Sequence, residues 1–158
     1  MSVRPEYILQ ASGSCCSVIT LLNALRYFGR ETTAPGEAGW DDLVDLAGCQ
    51  DGSAINVDSV AEHLGLVRHL ARVSPDITQA VPFDLTVWNP ESTGTSLHSV
   101  LVIGGSWPAL EMVNYRWESG PVVETAVPEI PGRISRRGSR RRRPPEAWHI
   151  RLRGAEGA

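Results

Sequence analysis

The sequence predicts an α+β fold, in which a helical part is followed by an antiparallel sheet. In residues 16–64, apolar side chains recur at three- and four-residue spacing, the period of an amphipathic helix. From residue 66 onward, short apolar or alternating runs are separated by turn residues, as expected for strands. Helices first and strands afterwards are typical of α+β proteins. The length of 158 residues predicts a single domain, 1–158, with a helical half at about 10–65 and a sheet half at about 66–153.

The first predicted helix covers residues 16–28 and is mostly apolar. Arg26 is its only charged residue, so we expect a central helix that is buried on most sides. Gly29 follows at the position where helices commonly end. The apolar positions that support this helix are Val18, Ile19, Leu21, Leu22, Leu25 and Phe28.

Two shorter helices and six strands complete the expected elements. The helices are predicted at about 40–47 and 56–64, and the glycines Gly48 and Gly65 end them. A short helical turn is expected at 75–79, and Gly104–Gly105 is predicted to form a turn between two strands. The strands are predicted at 66–73, 83–88, 97–103, 109–115, 121–127 and 148–153.

The charged residues are unevenly distributed. All 15 basic residues are arginines and nine of them follow residue 132, so the net charge of −3 hides a local basic segment. Its proline and glycine content and its self-repulsion predict a mobile loop at about 131–145. The alternative is that Arg133–Arg143 binds an anionic partner, namely nucleic acid, a membrane surface or an acidic peptide.

The cysteines are few and odd in number, and two of the three are adjacent, so they do not suggest a disulfide framework; this predicts a reducing compartment. We therefore expect a cytoplasmic protein, with a secreted effector as the alternative suggested by the absence of lysine. No signal peptide is recognised before Gln10, and no apolar run reaches the length of a membrane span. Neither zinc-ligand spacing nor a phosphate-binding loop is present, so no metal or cofactor is predicted.

Two adjacent cysteines stand where the first helix begins. A thiol at a helix N-terminus is close to unpaired backbone N–H groups and to the positive end of the helix dipole, which lower its pKa. Cys16 opens the helix and Cys15 precedes it, so Cys16 is the preferred nucleophile. The alternative is that both cysteines are small buried apolar residues.

A histidine and an amide downstream complete a candidate catalytic triad. His98 begins an apolar strand, and Asn114 lies on the return strand of the same hairpin, where its side-chain carbonyl would orient the imidazole. Glu111 is the second choice for that role. Gln10, six residues before Cys16, is the candidate donor to an oxyanion. None of the other histidines begins a central strand; these are His63, His69 and His149.

Together these features resemble the papain-like peptidases that process double-glycine leader peptides, and their stand-alone relatives. The resemblance covers roughly residues 8–116, and it is carried by the spacing from Gln10 to Cys16, from Cys16 to Gly29 and from His98 to Asn114. It implies a papain-like fold with Cys16 as nucleophile, His98 as base, Asn114 as orienting residue and Gln10 in the oxyanion hole.

Three positions depart from the pattern of that family. Ser17 stands where glycine is usual, Cys15 where an acidic residue or asparagine is usual, and Asn114 where aspartate is more frequent. The expected function is peptide hydrolysis through a thioester, with leader-peptide processing as the substrate class that the resemblance implies. The alternatives are an acyltransferase that uses the same intermediate and an inactive peptide-binding domain. The sequence does not predict an oligomeric state.

Overall fold

The computed structural model contains three helices followed by six strands in the described part of the chain, as the sequence predicts. The strands form one sheet in the order β1-β6-β2-β3-β4-β5, and every neighbouring pair is antiparallel. The described residues are 5–9, 15–49, 56–71, 81–88, 97–116, 121–129 and 147–154. The elements are α1 (Cys16–Tyr27), α2 (Trp40–Ala47), α3 (Val57–His63), β1 (Leu66–Ala71), β2 (Phe83–Trp88), β3 (Leu97–Ser106), β4 (Ala109–Val113), β5 (Val123–Ala126) and β6 (Ala147–Leu152).

Helix α1 is the centre of the core between the helices and the sheet. Eight consecutive residues from Val18 to Leu25 are buried, including two polar ones, Thr20 and Asn23. Burying a leucine side chain contributes about 1.5–3 kcal/mol, so Leu21 and Leu22 alone anchor this helix firmly. The helix ends where predicted, because Gly29 takes a φ of 81° that other residues avoid.

The sheet has an apolar side chain layer on each face. Leu101 and Val113 belong to the core beneath the helices. Val100, Val102 and Met112 belong to a second core. Because neighbouring side chains of a strand point to opposite faces, the second core covers the face of the sheet away from α1.

The turn predicted at Gly104–Gly105 is wrong. Strand β3 continues through both glycines to Ser106, and the register with β4 shifts between Val102 and Gly104. Gly105 has a φ of 92°, and a Cβ there would lie 2.7 Å from the carbonyl oxygen of Ala109. The glycines therefore allow an irregularity within the hairpin rather than its turn.

The expectation that the cysteines form no disulfide is also wrong. Cys15 and Cys49 form a disulfide across 34 residues of sequence. Cys15 is the N-cap residue of α1, and Cys49 follows Gly48 at the end of α2, so the packing of these two helix ends brings the sulfur atoms together. The disulfide removes the argument from cysteine number on which the cytoplasmic expectation rested.

Some expectations concern residues that lie outside the described part of the chain. They are the short helical turn at 75–79 and the arginine-rich loop at 131–145 with its anionic partner. None of the helices in the described part is long and apolar enough to cross a membrane.

Candidate functional site

The candidate nucleophile, Cys16, is the first residue of α1 and the free thiol among the three cysteines. The choice between the two adjacent cysteines follows from the fold, because Cys15 is consumed by its disulfide with Cys49. Helix α1 runs against β3, and its N-terminal end meets the start of that strand. The Cys16 thiol is hydrogen-bonded with the main chain of Ser99, the residue that follows His98.

The pKa of the Cys16 thiol is raised, contrary to the expectation for a helix N-terminus. Burial is the largest cause, and the negative charge of Asp84 acts in the same direction. Hydrogen bonds with the main chain of Ser99 and with the hydroxyl and main chain of Ser17 lower the pKa in part. Since a hydrogen bond that lowers a thiol pKa is one donated to the thiolate, these groups are arranged to stabilise the charged sulfur once it forms. In the resting protein near neutral pH, the thiol is protonated.

The candidate base, His98, is the second residue of β3 and is buried, with 3% of its surface exposed. Its Nε2 lies 2.6 Å from the main-chain carbonyl oxygen of Asn114. A carbonyl only accepts hydrogen bonds, so the neutral ring carries its proton on Nε2 and its lone pair on Nδ1. Burial lowers the pKa of His98, while the Asn114 carbonyl raises it in part. The imidazole is therefore neutral near neutral pH, the form required of a base.

Asn114 contacts His98 through its main chain, whereas the sequence suggested its side-chain carbonyl. The residue follows the end of β4 and has a φ of 64°, a left-handed conformation that asparagine tolerates better than most residues. Its side-chain Nδ2 donates a hydrogen bond of 2.8 Å to the carbonyl oxygen of Ile8. Asn114 thus joins the His98 strand to the segment that precedes Gln10.

The main chain of Ile8 is held from two sides. Besides the bond from Asn114, its carbonyl accepts a hydrogen bond of 3.1 Å from Asn23 Nδ2, and its N–H donates one of 2.7 Å to Asn23 Oδ1. Asn23 is 1% exposed, in the middle of an apolar helix. A buried amide that pairs with both main-chain groups of one residue fixes that residue much as a neighbouring strand would. The sequence signal for this contact was the single amide within the otherwise apolar stretch of α1.

The remaining candidates are separated from this region or lie outside the described residues. Glu111 pairs with Gly104, six residues from His98 along β3, which corresponds to about 20 Å. The second choice of orienting residue is therefore wrong. Gln10 falls outside the described residues, so its role stays a prediction. Among the described residues, no group of three or more potential ligands is placed to hold a metal ion.

Two solved structures with a similar architecture are peptidase domains of transporters. One is the peptidase domain of Streptococcus ComA, a bifunctional ABC transporter of a quorum-sensing pathway. It has a TM-score of 0.58 and 12% sequence identity over 94% of this chain and 98% of that chain. This chain shares the fold of that peptidase domain. A second such structure, the double-glycine-motif protease of an AMS/PCAT transporter in complex with its leader peptide, has a TM-score of 0.52 and 16% identity over 77% of this chain and 80% of that chain.

This likeness confirms the papain-like α+β fold that the sequence pattern implied. At 12% and 16% identity it is a likeness of fold. No protein-family model matches the sequence, and a search of curated proteins finds no match. The roles of individual residues must therefore be argued from the contacts of this chain.

Proposed function

We propose that this protein is a cysteine peptidase in which Cys16 attacks a peptide carbonyl and His98 transfers the proton. One observation carries the proposal: the free thiol stands at the N-terminus of α1 against the main chain that follows His98, a buried histidine whose Nε2 is bonded to a carbonyl. Thiol catalysis requires a nucleophile and an oriented base, and Cys16 and His98 are the candidates for these two roles. The fold shared with peptidase domains supports the same reaction class.

The pKa directions favour a neutral resting pair over a preformed thiolate–imidazolium pair. His98 would take the thiol proton through Nδ1 as Cys16 attacks, and the Ser99 and Ser17 hydrogen bonds would stabilise the developing charge on sulfur. Nε2–H would remain on the Asn114 carbonyl and hold the ring. His98 would then return the proton to the leaving amine, and water would release the acyl group from the thioester.

Gln10 would complete the oxyanion hole. It is two residues after Ile8, whose main chain is fixed by Asn23 and Asn114. A short tether from a fixed residue limits where the Gln10 amide can reach, and this is how a donor is preorganised for a developing oxyanion. The leader-bound neighbour suggests the substrate class, a leader peptide with a double-glycine motif.

The test is cleavage of synthetic peptides that contain an internal Gly-Gly, followed by mass spectrometry, with the wild-type protein and the Cys16→Ala variant. We expect a product that ends in Gly-Gly and a loss of more than about 1000-fold in rate for the variant. Adding a primary amine separates hydrolysis from acyl transfer, since a transferase would form the amide product. An amide product in place of the acid would overturn hydrolysis, and binding without any cleavage would overturn enzymatic turnover.

A further inference from the structure

A chain of buried polar side chains lies between α1 and the sheet, next to the proposed site. Thr20, Asp84 and Ser99 are 3%, 4% and 8% exposed, in a layer that is otherwise apolar. The Ser99 hydroxyl donates to Asp84 Oδ1 at 2.5 Å. The Thr20 hydroxyl lies 3.1 Å from that of Ser99 and donates to the Ser99 carbonyl at 3.3 Å. Buried polar groups that are mutually satisfied rigidify the elements that carry them.

These three residues stand in fixed relation to the proposed catalytic pair. Thr20 is four residues after Cys16, on the same side of α1 and one turn further along. Ser99 directly follows His98 on β3. The bonds between Thr20 and Ser99 therefore set the distance from the first turn of α1 to the start of β3. A displacement of about 1 Å between reacting groups can cost roughly 100-fold in rate.

Asp84 holds Ser99 from the adjacent strand, β2, and its own charge is compensated. Arg68 Nη2 lies 3.6 Å from Asp84 Oδ2, and Arg68 Nη1 lies 2.6 Å from Asp58 Oδ1. The Arg68 guanidinium also stacks on the Trp148 ring, 4.3 Å from its centre. A buried carboxylate stays charged when it is paired and hydrogen-bonded in this way.

We propose that Asp84 is a positioning residue of the proposed peptidase, which fixes the nucleophile helix against the His98 strand through Ser99. The inference rests on the proposed function, and it adds a residue to which the family resemblance assigns no role. Asp84 has a second effect through its charge, which disfavours the thiolate of Cys16. The groups that act on this thiol are Asp84 from β2 and the hydrogen bonds of Ser99 and Ser17, with Arg68 of β1 compensating Asp84.

The experiment compares Asp84→Asn with Asp58→Asn. Both variants remove one carboxylate from Arg68, but Asp58 is 78% exposed on the far side of the guanidinium. The rate of Cys16 alkylation by iodoacetamide is measured against pH, which needs no turnover. Removing a negative charge favours the thiolate, so the midpoint should move to lower pH in Asp84→Asn and stay in place in Asp58→Asn. If the pH midpoint of alkylation does not move in Asp84→Asn, or moves equally in both variants, the claim that the charge of Asp84 disfavours the Cys16 thiolate is overturned.

A second pair of measurements tests the positioning part. Ser99→Ala keeps the charge of Asp84 and breaks its link to α1, so the alkylation midpoint should stay, while kcat for peptide cleavage falls by about 10- to 100-fold with little change in KM. Wild-type kcat in Ser99→Ala would overturn the positioning role. If the wild-type protein cleaves no peptide while the alkylation shift is present, the peptidase proposal fails and the charge effect of Asp84 stands.

Discussion

Breaking the disulfide between Cys15 and Cys49 should lower the stability of the protein measurably. The bond closes a loop of 34 residues. The chain-entropy relation gives about 4 kcal/mol for a loop of that length at 25 °C. For a chain of 158 residues, about 2–4 °C of melting temperature is lost per kcal/mol, so the expected decrease is about 10 °C.

The assay is thermal unfolding followed by circular dichroism, with and without a phosphine reductant. The Cys49→Ala variant should melt about 10 °C below the wild type and should not respond to the reductant. The matched control is Cys16→Ala, which keeps the disulfide and should respond as the wild type does. A decrease below about 2 °C on reduction, or alkylation of three thiols in the native protein without reductant, would refute the reasoning.

Two further predictions concern the site. Because the pKa of His98 is lowered and that of Cys16 is raised, peptidase activity should stay level across neutral pH, with an acid limb below pH 6.5 and a basic limb above pH 9. A basic limb below pH 9 would indicate a preformed ion pair, because it would then report an imidazolium whose pKa is raised. Asn114→Gly keeps the carbonyl that holds His98 and tolerates a φ of 64°, whereas Asn114→Val is strained there. The glycine variant should therefore retain at least tenfold more kcat than the valine variant, and equal losses in the two would argue against orientation by the main chain.

The helices could be predicted to within one or two residues because their ends are encoded locally. Gly29, Gly48 and Gly65 follow the three helices, and each has a positive φ. A left-handed residue after an apolar periodic run is a signal that needs no knowledge of the rest of the chain. The strands were predicted nearly as well where they are strongly apolar, as in β2 (Phe83–Trp88).

Features that depend on distant parts of the chain could not be predicted in this way. The same glycine rule misplaced the turn at Gly104–Gly105, because a strand irregularity and a turn both require a residue without a side chain. Pairing of Cys15 with Cys49 depends on how two helix ends meet in space. Nothing in the sequence indicated that Asp84 is buried next to the site, since an acidic residue within a strand is usually exposed and only the tertiary structure buries this one.

For the candidate site, the sequence could predict which residues meet, but it could not predict which of their atoms make the contact. His98 and Asn114 do meet, but the orienting atom in contact is a main-chain oxygen. The helix dipole suggested a lowered pKa for Cys16, and burial together with Asp84 reverses that direction. Burial is a property of the assembled structure, so the protonation state of a candidate nucleophile cannot be derived from its position at a helix start.

The place of β6 in the sheet has a consequence for biosynthesis. This strand is the last of the described elements in the chain, yet it lies between β1 and β2. Leu66 of β1 pairs with Leu152 of β6. At a translation rate of about 5–20 residues per second, β6 is therefore synthesised several seconds after β1. Cys16, His98 and Asn114 are all synthesised before that partner exists. On the ribosome the thiol therefore emerges well before the sheet that supports His98 can close, and the proposed peptidase activity should appear only after residue 152 has been added.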